Sequence, residues 1–204
     1  MGAPAATRTA PATLCADMHR ETIRIRRAEP RDLPTILELI HALAEYEREP
    51  QAVRATLPAL ERHLFGEGFG RGPTAECLMA ECRSSADRAD GRDEDASEDS
   101  YEVQGFAVFC TNFSTWLAKP GIWLEDLFVR PAARGRGLGK ALLVELARLA
   151  VERGCGRVEW SVLDWNTPAI DFYRSLGAIG LTEWTTNRLT GDALTALART
   201  SGGR

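Results

Sequence analysis

No apolar run in this chain approaches the ~20 residues that a membrane-spanning helix requires, so the sequence predicts no membrane partner. The first twenty residues lack the apolar core of a secretory signal, which makes a cytoplasmic location the expectation. Histidine is scarce, with three residues, and the five cysteines are scattered without a C-x2-C pair. We therefore expect neither a metal site nor a disulfide framework.

Charge of a single sign is also missing from most of the chain. The formal net charge is −4, but residues 87–99 alone contain seven acids and two arginines. The remaining residues include 23 bases and 22 acids, so they form no basic field of the kind that attracts nucleic acid. We expect no nucleic-acid partner, and we interpret residues 84–100 as a flexible acidic insertion between two strands.

The apolar pattern predicts one mixed α/β domain over residues 22–198, after a disordered leader at 1–21 and before a tail at 199–204. Sequential strands in the middle of the chain favour antiparallel pairing. Strands are predicted at Thr22–Arg27, Glu76–Cys82, Val103–Cys110, Ile122–Val129, Arg157–Leu163 and near Trp184–Leu189. Helices are predicted from Leu33 to near Glu47 with Asp32 as cap, at Arg54–Phe65, Ala141–Glu152 and Pro168–Leu176, and from Asp192, with a loop at Asn112–Pro120.

A glycine-rich turn within residues 129–140 joins a predicted strand directly to a long helix. Glycines permit positive φ angles and a close approach of the backbone to a ligand, and the start of a helix supplies unpaired N–H groups. Arg134, Arg136 and Lys140 add positive charge, so the turn suits a phosphate or pyrophosphate. The alternative is that the glycines only permit tight packing of the strand against the helix. The turn matches neither the nucleotide P-loop nor the dinucleotide fingerprint.

The pattern Arg134-x-x-Gly137-x-Gly139, after a strand that ends Glu125-Asp126-Leu127-Phe128-Val129, resembles the coenzyme A signature of the GCN5-related N-acetyltransferases (GNATs). The spacing to Asn166 and Tyr173 is similar to that superfamily too, and the resemblance extends over about residues 22–190. It implies the GNAT fold, a single-domain mixed, mostly antiparallel sheet flanked by helices. The chain also resembles the diamine acetyltransferases, which act on spermidine, spermine or thialysine, in five stretches: Leu43-Ala44-Glu45-Tyr46-Glu47, Ser114-Thr115-Trp116, Leu124-Glu125-Asp126, Leu163-Asp164-Trp165-Asn166 and Phe172-Tyr173.

The resemblance implies direct transfer of an acetyl group from acetyl-CoA to a primary amine of a small diamine, polyamine or lysine-like amino acid, by a homodimer. It also implies that Glu125 binds or deprotonates the amine and that Tyr173 protonates the leaving thiolate. Contacts to coenzyme A are implied for Leu127, Phe128, Val129, Arg134, Gly135, Arg136, Gly137, Leu138, Gly139, Lys140, Asn166 and Ala169. Contacts to the amine are implied for Tyr46, Glu47, Glu125, Asp126 and Trp160.

Several alternatives stay open at the level of the sequence. Glu125 could be an outward strand residue in a salt bridge, Tyr173 a core aromatic, and Asn166 simply a helix cap. The substrate could instead be a protein N-terminus or lysine, and the protein could be a non-catalytic module that binds acyl-CoA. The Leu163-Asp164-Trp165-Asn166 stretch favours the thialysine branch over the spermidine branch, but a single residue carries that preference.

Overall fold

The computed structural model describes residues 23–68, 70, 72–83 and 101–200. The predicted leader at 1–21 and the predicted acidic insertion at 84–100 lie outside the described residues. The chain divides into two compact units, one that ends at Ser161 and one that begins at Val162. One continuous domain over 22–198 stays a prediction. None of the described helices is both long enough and apolar enough to cross a membrane.

The first unit contains a mixed sheet whose strands lie in the order β1-β2-β3-β4-β5. The strands are β1 (Ile23–Arg27), β2 (Glu76–Arg83), β3 (Tyr101–Ser114), β4 (Lys119–Val129) and β5 (Val158–Trp160). Strands β1 to β4 pair antiparallel in chain order, and β5 pairs with β4 in parallel. This arrangement confirms the predicted α/β fold with a mostly antiparallel sheet.

Successive side chains of a strand point to opposite faces, and here each face has its own apolar cluster and its own helix. Helix α1 (Leu33–Tyr46) packs its apolar side with Met79, Phe106 and Phe128. Helix α2 (Leu57–Leu64) begins after Thr56, whose hydroxyl accepts a hydrogen bond from an amide of the helix, as expected of an N-cap. Helix α3 (Leu138–Glu152) packs on the other face, where its buried leucines meet strand residues of the opposite parity. These leucines are Leu138, Leu142, Leu146 and Leu149.

A buried ion-pair network, which we call the Arg26 network, joins Arg26 to Asp32 and Glu81. The two terminal nitrogens of Arg26 donate to the two Asp32 oxygens at 2.6 and 2.8 Å, and Arg26 Nε donates to Glu81 Oε1 at 2.7 Å. The backbone N–H of Glu29 also donates to Asp32, at 2.7 Å. Burial by itself raises the pKa of Asp32, but these hydrogen bonds bring it below its ordinary value. Asp32 precedes α1 as predicted, yet its carboxylate binds Arg26 instead of an amide of α1.

The predicted loop at Asn112–Pro120 is wrong, because most of it belongs to a long hairpin. Strand β3 continues to Ser114, β4 already begins at Lys119, and only residues 115–118 form the turn. Pro120 is tolerated here because its carbonyl accepts from Gly156 N at 2.8 Å. The missing N–H of the proline would therefore face the β5 side, and the ladder with β3 loses no donor.

The predicted strand at Arg157–Leu163 is longer than the observed β5. Ladder pairing of β4 with β5 covers only Ile122–Leu124 and Val158–Trp160. Beyond Leu124 the described residues of β5 offer β4 no further partner, and a strand ends where its ladder ends. The sequence pattern reports burial and alternation, which continue past that point, but it does not report pairing.

The second unit, within its described residues, contains helices α4 (Thr167–Ser175) and α5 (Gly191–Arg199). The side chain of Asn166 accepts from Ala169 N at 3.4 Å, which confirms its predicted capping of α4. Gly177 follows with a φ of +90°, as expected of a residue that ends a helix. The predicted strand near Trp184–Leu189 is wrong: this segment has no regular secondary structure, and residues 162–200 of its unit include no strand with which it could pair.

Candidate active site

Strand β4 has an open edge next to an irregularity in its ladder. Its pairing with β5 stops at Leu124, and its register with β3 shifts so that Asp126 faces Val108 while Glu125 is the extra residue. Such a β-bulge re-aims the side chain of the bulged residue. Glu125 is accordingly exposed at the point where the strand becomes free on one side.

The hydrogen-bond pattern of β4 shows which backbone groups face the open edge. Arg130 N donates to Gln104 O at 2.8 Å, which makes this pair a hydrogen-bonded pair of the antiparallel ladder. Because such pairs alternate, Phe128 also bonds toward β3, whereas Leu127 and Val129 direct their N–H and C=O groups away from it. The side chain of Phe128 is buried in the core on the α1 face. The donors and acceptors that face the open edge are therefore those of Leu127 and Val129, and Val129 O accepts from Arg134 Nε at 3.0 Å.

The glycine turn leads from this edge into α3. Gly135 and Gly137 have φ angles of +78° and +95°, which glycine adopts without strain. A Cβ at Gly135 would meet no atom within 4 Å, so the turn is open there. Helix α3 starts after Gly137 without a side-chain cap, which leaves the first amides of the helix available to an anion. Leu138 is buried in the core, so the backbone N–H is the group that it offers.

Three positive side chains surround the turn. Arg134 Nε donates to Val129 O at 3.0 Å, and its guanidinium lies over the ring of Tyr46 at 4.4 Å. Arg136 Nη2 donates to Cys82 Sγ at 3.0 Å. Lys140 is exposed in the first turn of α3. The donor set, two arginines and a lysine beside uncapped helix amides, fits the pyrophosphate of a coenzyme A.

Three carboxylates, which we call the acidic cluster, lie near the open edge: Glu47, Glu125 and Asp126. Burial, followed by the negative charges of Glu125 and Glu47, raises the pKa of Asp126 to about 6. Burial also raises the pKa of Glu47. Within the described residues, no Arg or Lys forms an ion pair with any of the three. Such a cluster is suited to bind a cation and to accept a proton.

Glu47 reaches the acidic cluster because of how α1 ends. Arg48 has a φ of +67°, and its N–H donates to Glu45 O at 3.1 Å, while Glu49 N donates to Ala44 O at 2.9 Å. These are the two bonds of a Schellman turn, with Arg48 at the position that glycine usually takes. An acid at a helix C-terminus is disfavoured by the helix dipole, so the position of Glu47 opposes local stability.

Glu125 accepts a side-chain hydrogen bond that was not predicted from the sequence. Trp123 Nε1 donates to Glu125 Oε2 at 2.8 Å. The only sequence signal for this contact is the spacing of two residues on a strand, which places both side chains on one face. Trp160, predicted to contact the amine, instead packs against the core on the α3 face of the sheet, and its role stays a prediction.

The other predicted site residues belong to the second unit. Asn166 and Ala169 form the capped start of α4, and Tyr173 lies one turn later on the same helix. The ring of Tyr173 contacts that of Phe172, with a centroid distance of 5.4 Å. The first unit thus brings together the glycine turn, the open edge of β4 and the acidic cluster, and the second unit holds these three residues on one helix.

Within the described residues, no group of three or more His, Cys, Asp or Glu side chains could hold a metal ion.

The family model of the acetyltransferase (GNAT) family matches residues 76–178, which include the glycine turn, the bulge and α4. An L-ornithine N5-acetyltransferase from Arabidopsis thaliana is 38% identical over 88% of this chain and 89% of its own length. A thialysine N-epsilon-acetyltransferase from Bos taurus is 36% identical over 86% of this chain and 97% of its own. An integron cassette protein from V. cholerae superposes with a TM-score of 0.64 at 25% identity, over 87% of this chain and 98% of its own. The chain belongs to the GNAT family of acetyltransferases.

Proposed function

We propose that this enzyme transfers an acetyl group from acetyl-CoA to a primary amine of a small diamine, polyamine or lysine-like amino acid. The observation that carries the proposal is the acidic cluster beside the open edge of β4, which no Arg or Lys of the described residues neutralises. A substrate with two positive charges suits three carboxylates better than a neutral or acidic substrate. The named substrates of the two curated relatives, ornithine and thialysine, are amines of this kind.

Acetyl-CoA supplies the acetyl group as a thioester. We assign its pyrophosphate to the amides of residues 135–140, with Arg136 and Lys140 as counter-charges. We assign its pantetheine arm to the outward N–H and C=O groups of Leu127 and Val129, which can bind an extended chain as a further strand would. Arg134 lies between the proposed pyrophosphate and pantetheine sites, because it is part of the glycine turn and its Nε donates to Val129 O.

The amine must lose a proton before it can attack. A primary alkylamine resembles a lysine side chain, with a pKa near ~10.4, so at pH 7 the neutral form costs about 4–5 kcal/mol. We assign the proton transfer to Glu125, whose carboxylate is exposed at the bulge. Asp126, with its pKa raised to about 6, and Glu47 would hold the second positive charge of the substrate. The neutral amine then attacks the acetyl carbonyl directly, without an acyl-enzyme.

The coenzyme A thiolate must be able to leave. We assign its protonation to Tyr173, on the family resemblance of the spacing from Asn166 to Tyr173. Tyr173→Phe is expected to lower kcat strongly, by about 10²-fold as for the loss of a general acid, and to leave coenzyme A affinity nearly intact. Unchanged turnover would remove Tyr173 from this role.

The decisive experiment measures release of coenzyme A thiol from acetyl-CoA in the presence of different amines. The panel contains ornithine, thialysine, lysine, putrescine, spermidine, an aminoglycoside and a short peptide. Release with one diamine or lysine-like amine is the expected outcome and identifies the branch. Release with the peptide alone would support a protein acetyltransferase, and coenzyme A binding without any release would support a regulatory module.

We also propose that the enzyme is a cytoplasmic homodimer. The diamine acetyltransferases that the sequence resembles are homodimers, which supports the dimer. Light scattering coupled to gel filtration tests the dimer: a mass near twice 22.4 kDa is expected, and a monomer at micromolar concentration would contradict it.

A further inference from the structure

The hydrogen bond from Trp123 to Glu125 connects a well-anchored residue to a poorly anchored one. Trp123 is half-buried and is paired on both sides, with Cys110 of β3 and with Glu159 of β5. Glu125 is exposed, follows the last residue of β4 that pairs with β5, and has no register partner on β3 because the bulge falls there. The ladder therefore fixes the position of the indole but not that of the carboxylate.

The chemistry of the indole suits it to orient a base. An indole N–H donates and never accepts, so it engages one carboxylate oxygen without competing for the proton that the carboxylate takes up. Trp123 Nε1 holds Oε2 of Glu125 at 2.8 Å, which leaves Oε1 for an incoming ammonium. A free glutamate side chain loses rotamer freedom each time it is ordered, whereas a carboxylate that is already held needs little reorganisation.

We infer that Trp123 is a positioning residue for the amine reaction, which acts by holding the carboxylate of Glu125 in the orientation that accepts the proton. This inference rests on the proposed role of Glu125. It adds a specific requirement to that role: the effect of Trp123 on turnover passes through the Glu125 carboxylate, and not through packing of the indole on the sheet.

A double-mutant cycle tests this requirement. Trp123→Phe keeps an aromatic ring on β4 and removes the N–H donor. We expect it to lower kcat/KM for the amine about tenfold, as is typical for loss of a hydrogen bond to a charged group, with KM for acetyl-CoA unchanged. In a Glu125→Ala background, the same substitution should change kcat/KM by less than about twofold.

The outcomes of the cycle separate the two hypotheses. If Trp123→Phe lowers kcat/KM for the amine by the same factor with and without the Glu125 carboxylate, the indole acts by packing and the inference is overturned. If Glu125→Ala alone leaves kcat/KM unchanged, the proposed role of Glu125 fails, and the positioning role fails with it. In either case, the proposal that acetyl-CoA is the donor and a small amine the acceptor would stand.

A spectroscopic measurement checks the contact without any turnover. Trp123→Phe identifies the indole N–H signal of Trp123 in a proton–nitrogen correlation spectrum. Glu125→Ala should then move that signal upfield and leave the other indole signals in place. As a matched control, Trp116→Phe removes an indole that is 88% exposed in the turn between β3 and β4, and it should leave the Trp123 signal unchanged. A Trp123 signal that does not respond to Glu125→Ala would overturn the inference.

Discussion

Two groups of carboxylates in the first unit differ in their surroundings. In the Arg26 network, Asp32 and Glu81 are 6% and 4% exposed, and one guanidinium bonds both of them. In the acidic cluster, no Arg or Lys of the described residues forms an ion pair. The pKa values reflect this contrast: that of Asp32 is lowered despite its burial, and burial with two neighbouring carboxylates raises that of Asp126 to about 6.

The contrast separates a structural use of charge from a functional one. The Arg26 network is complete within the chain, so each member depends on the others and a missing partner leaves a buried charge unpaired. No Arg or Lys in the described part of the chain pairs with the acidic cluster, so the cluster carries an electrostatic cost to folding that a bound cation would relieve. Residues that lower stability in this way are typical of binding sites, where stability and activity oppose each other.

The largest expected loss of stability comes from a substitution that disrupts the Arg26 network. Arg26→Met keeps most of the aliphatic volume but leaves Asp32 buried without its guanidinium partner, and it leaves Glu81 with Arg24 alone, whose Nε lies 3.0 Å from Glu81 Oε2. We expect the free energy of unfolding at neutral pH to fall by about 3–5 kcal/mol. Chemical denaturation measures it. The control is Arg27→Met on the same strand, since Arg27 is 62% exposed in its ion pair with Glu76 and should cost less than about 1 kcal/mol.

The pH dependence of that loss has a definite sign. The folded-state pKa of Asp32 lies below its ordinary value of 3.8, so its ionised form contributes stability above that pH. The contribution is lost as the pH falls through the folded-state pKa. The difference between the wild type and Arg26→Met should therefore narrow below about pH 4. Equal losses for Arg26→Met and Arg27→Met at neutral pH would contradict the contrast between the network and the surface pairs.

In the acidic cluster, we expect that removing a charge raises the stability of the fold. The folded-state pKa of Asp126, about 6, lies above its ordinary value of 3.8, so ionised Asp126 destabilises the fold. Asp126→Asn should raise the free energy of unfolding by about 2–3 kcal/mol at pH 7, with the gain appearing as the pH rises from about 4 to 6. The same variant should lose amine affinity, because a charge that holds the substrate is gone.

A carboxylate on β5 provides the matched control for Asp126→Asn. Glu159 accepts from Asn112 at 3.0 Å and from Arg157 at 2.7 Å, so Glu159→Gln should lower stability by roughly 1 kcal/mol. Thermal unfolding of both variants, with amine kinetics on each, distinguishes the two environments. Loss of stability in Asp126→Asn would mean that its carboxylate has a counter-charge in solution, and the functional interpretation of the cluster would lose its basis.

The sequence predicted the elements of the sheet better than their ends. Alternation and helical periodicity report which residues are buried, and burial located β1 to β4 and helices α1, α2 and α3. The hairpin ends at Ser114 and Lys119, and the short β5, depend on which strand lies alongside. A pattern of burial shows neither that the polar residues of the hairpin are paired nor that β4 and β5 stop pairing at Leu124.

Site residues that belong to a local motif were predictable, and those defined by contacts across the fold were not. The glycine turn is contiguous, and its positive φ angles at Gly135 and Gly137 follow from residue type. The partner of Glu125 was missed because the bulge that frees Glu125 is a property of the β3–β4 register. Asp32 was expected to cap α1 because it immediately precedes that helix. Its observed partner, Arg26, was missed because Arg26 lies on a strand, at no fixed spacing from the start of a helix.

The smallest expected effect, and the one that probes the acidic cluster most specifically, comes from Glu47. Its negative charge is one of the causes that raise the pKa of Asp126, after burial and Glu125. Glu47→Gln removes that charge, so the pKa of Asp126 should fall and the acidic limb of the kcat/KM profile should move to lower pH. The control, Glu45→Gln, changes an exposed acid of α1 and should leave the limb in place. Profiles between about pH 5 and 8 at constant ionic strength measure the limb. A limb that Glu47→Gln does not move, or that persists in Asp126→Asn, would show that another group controls amine binding.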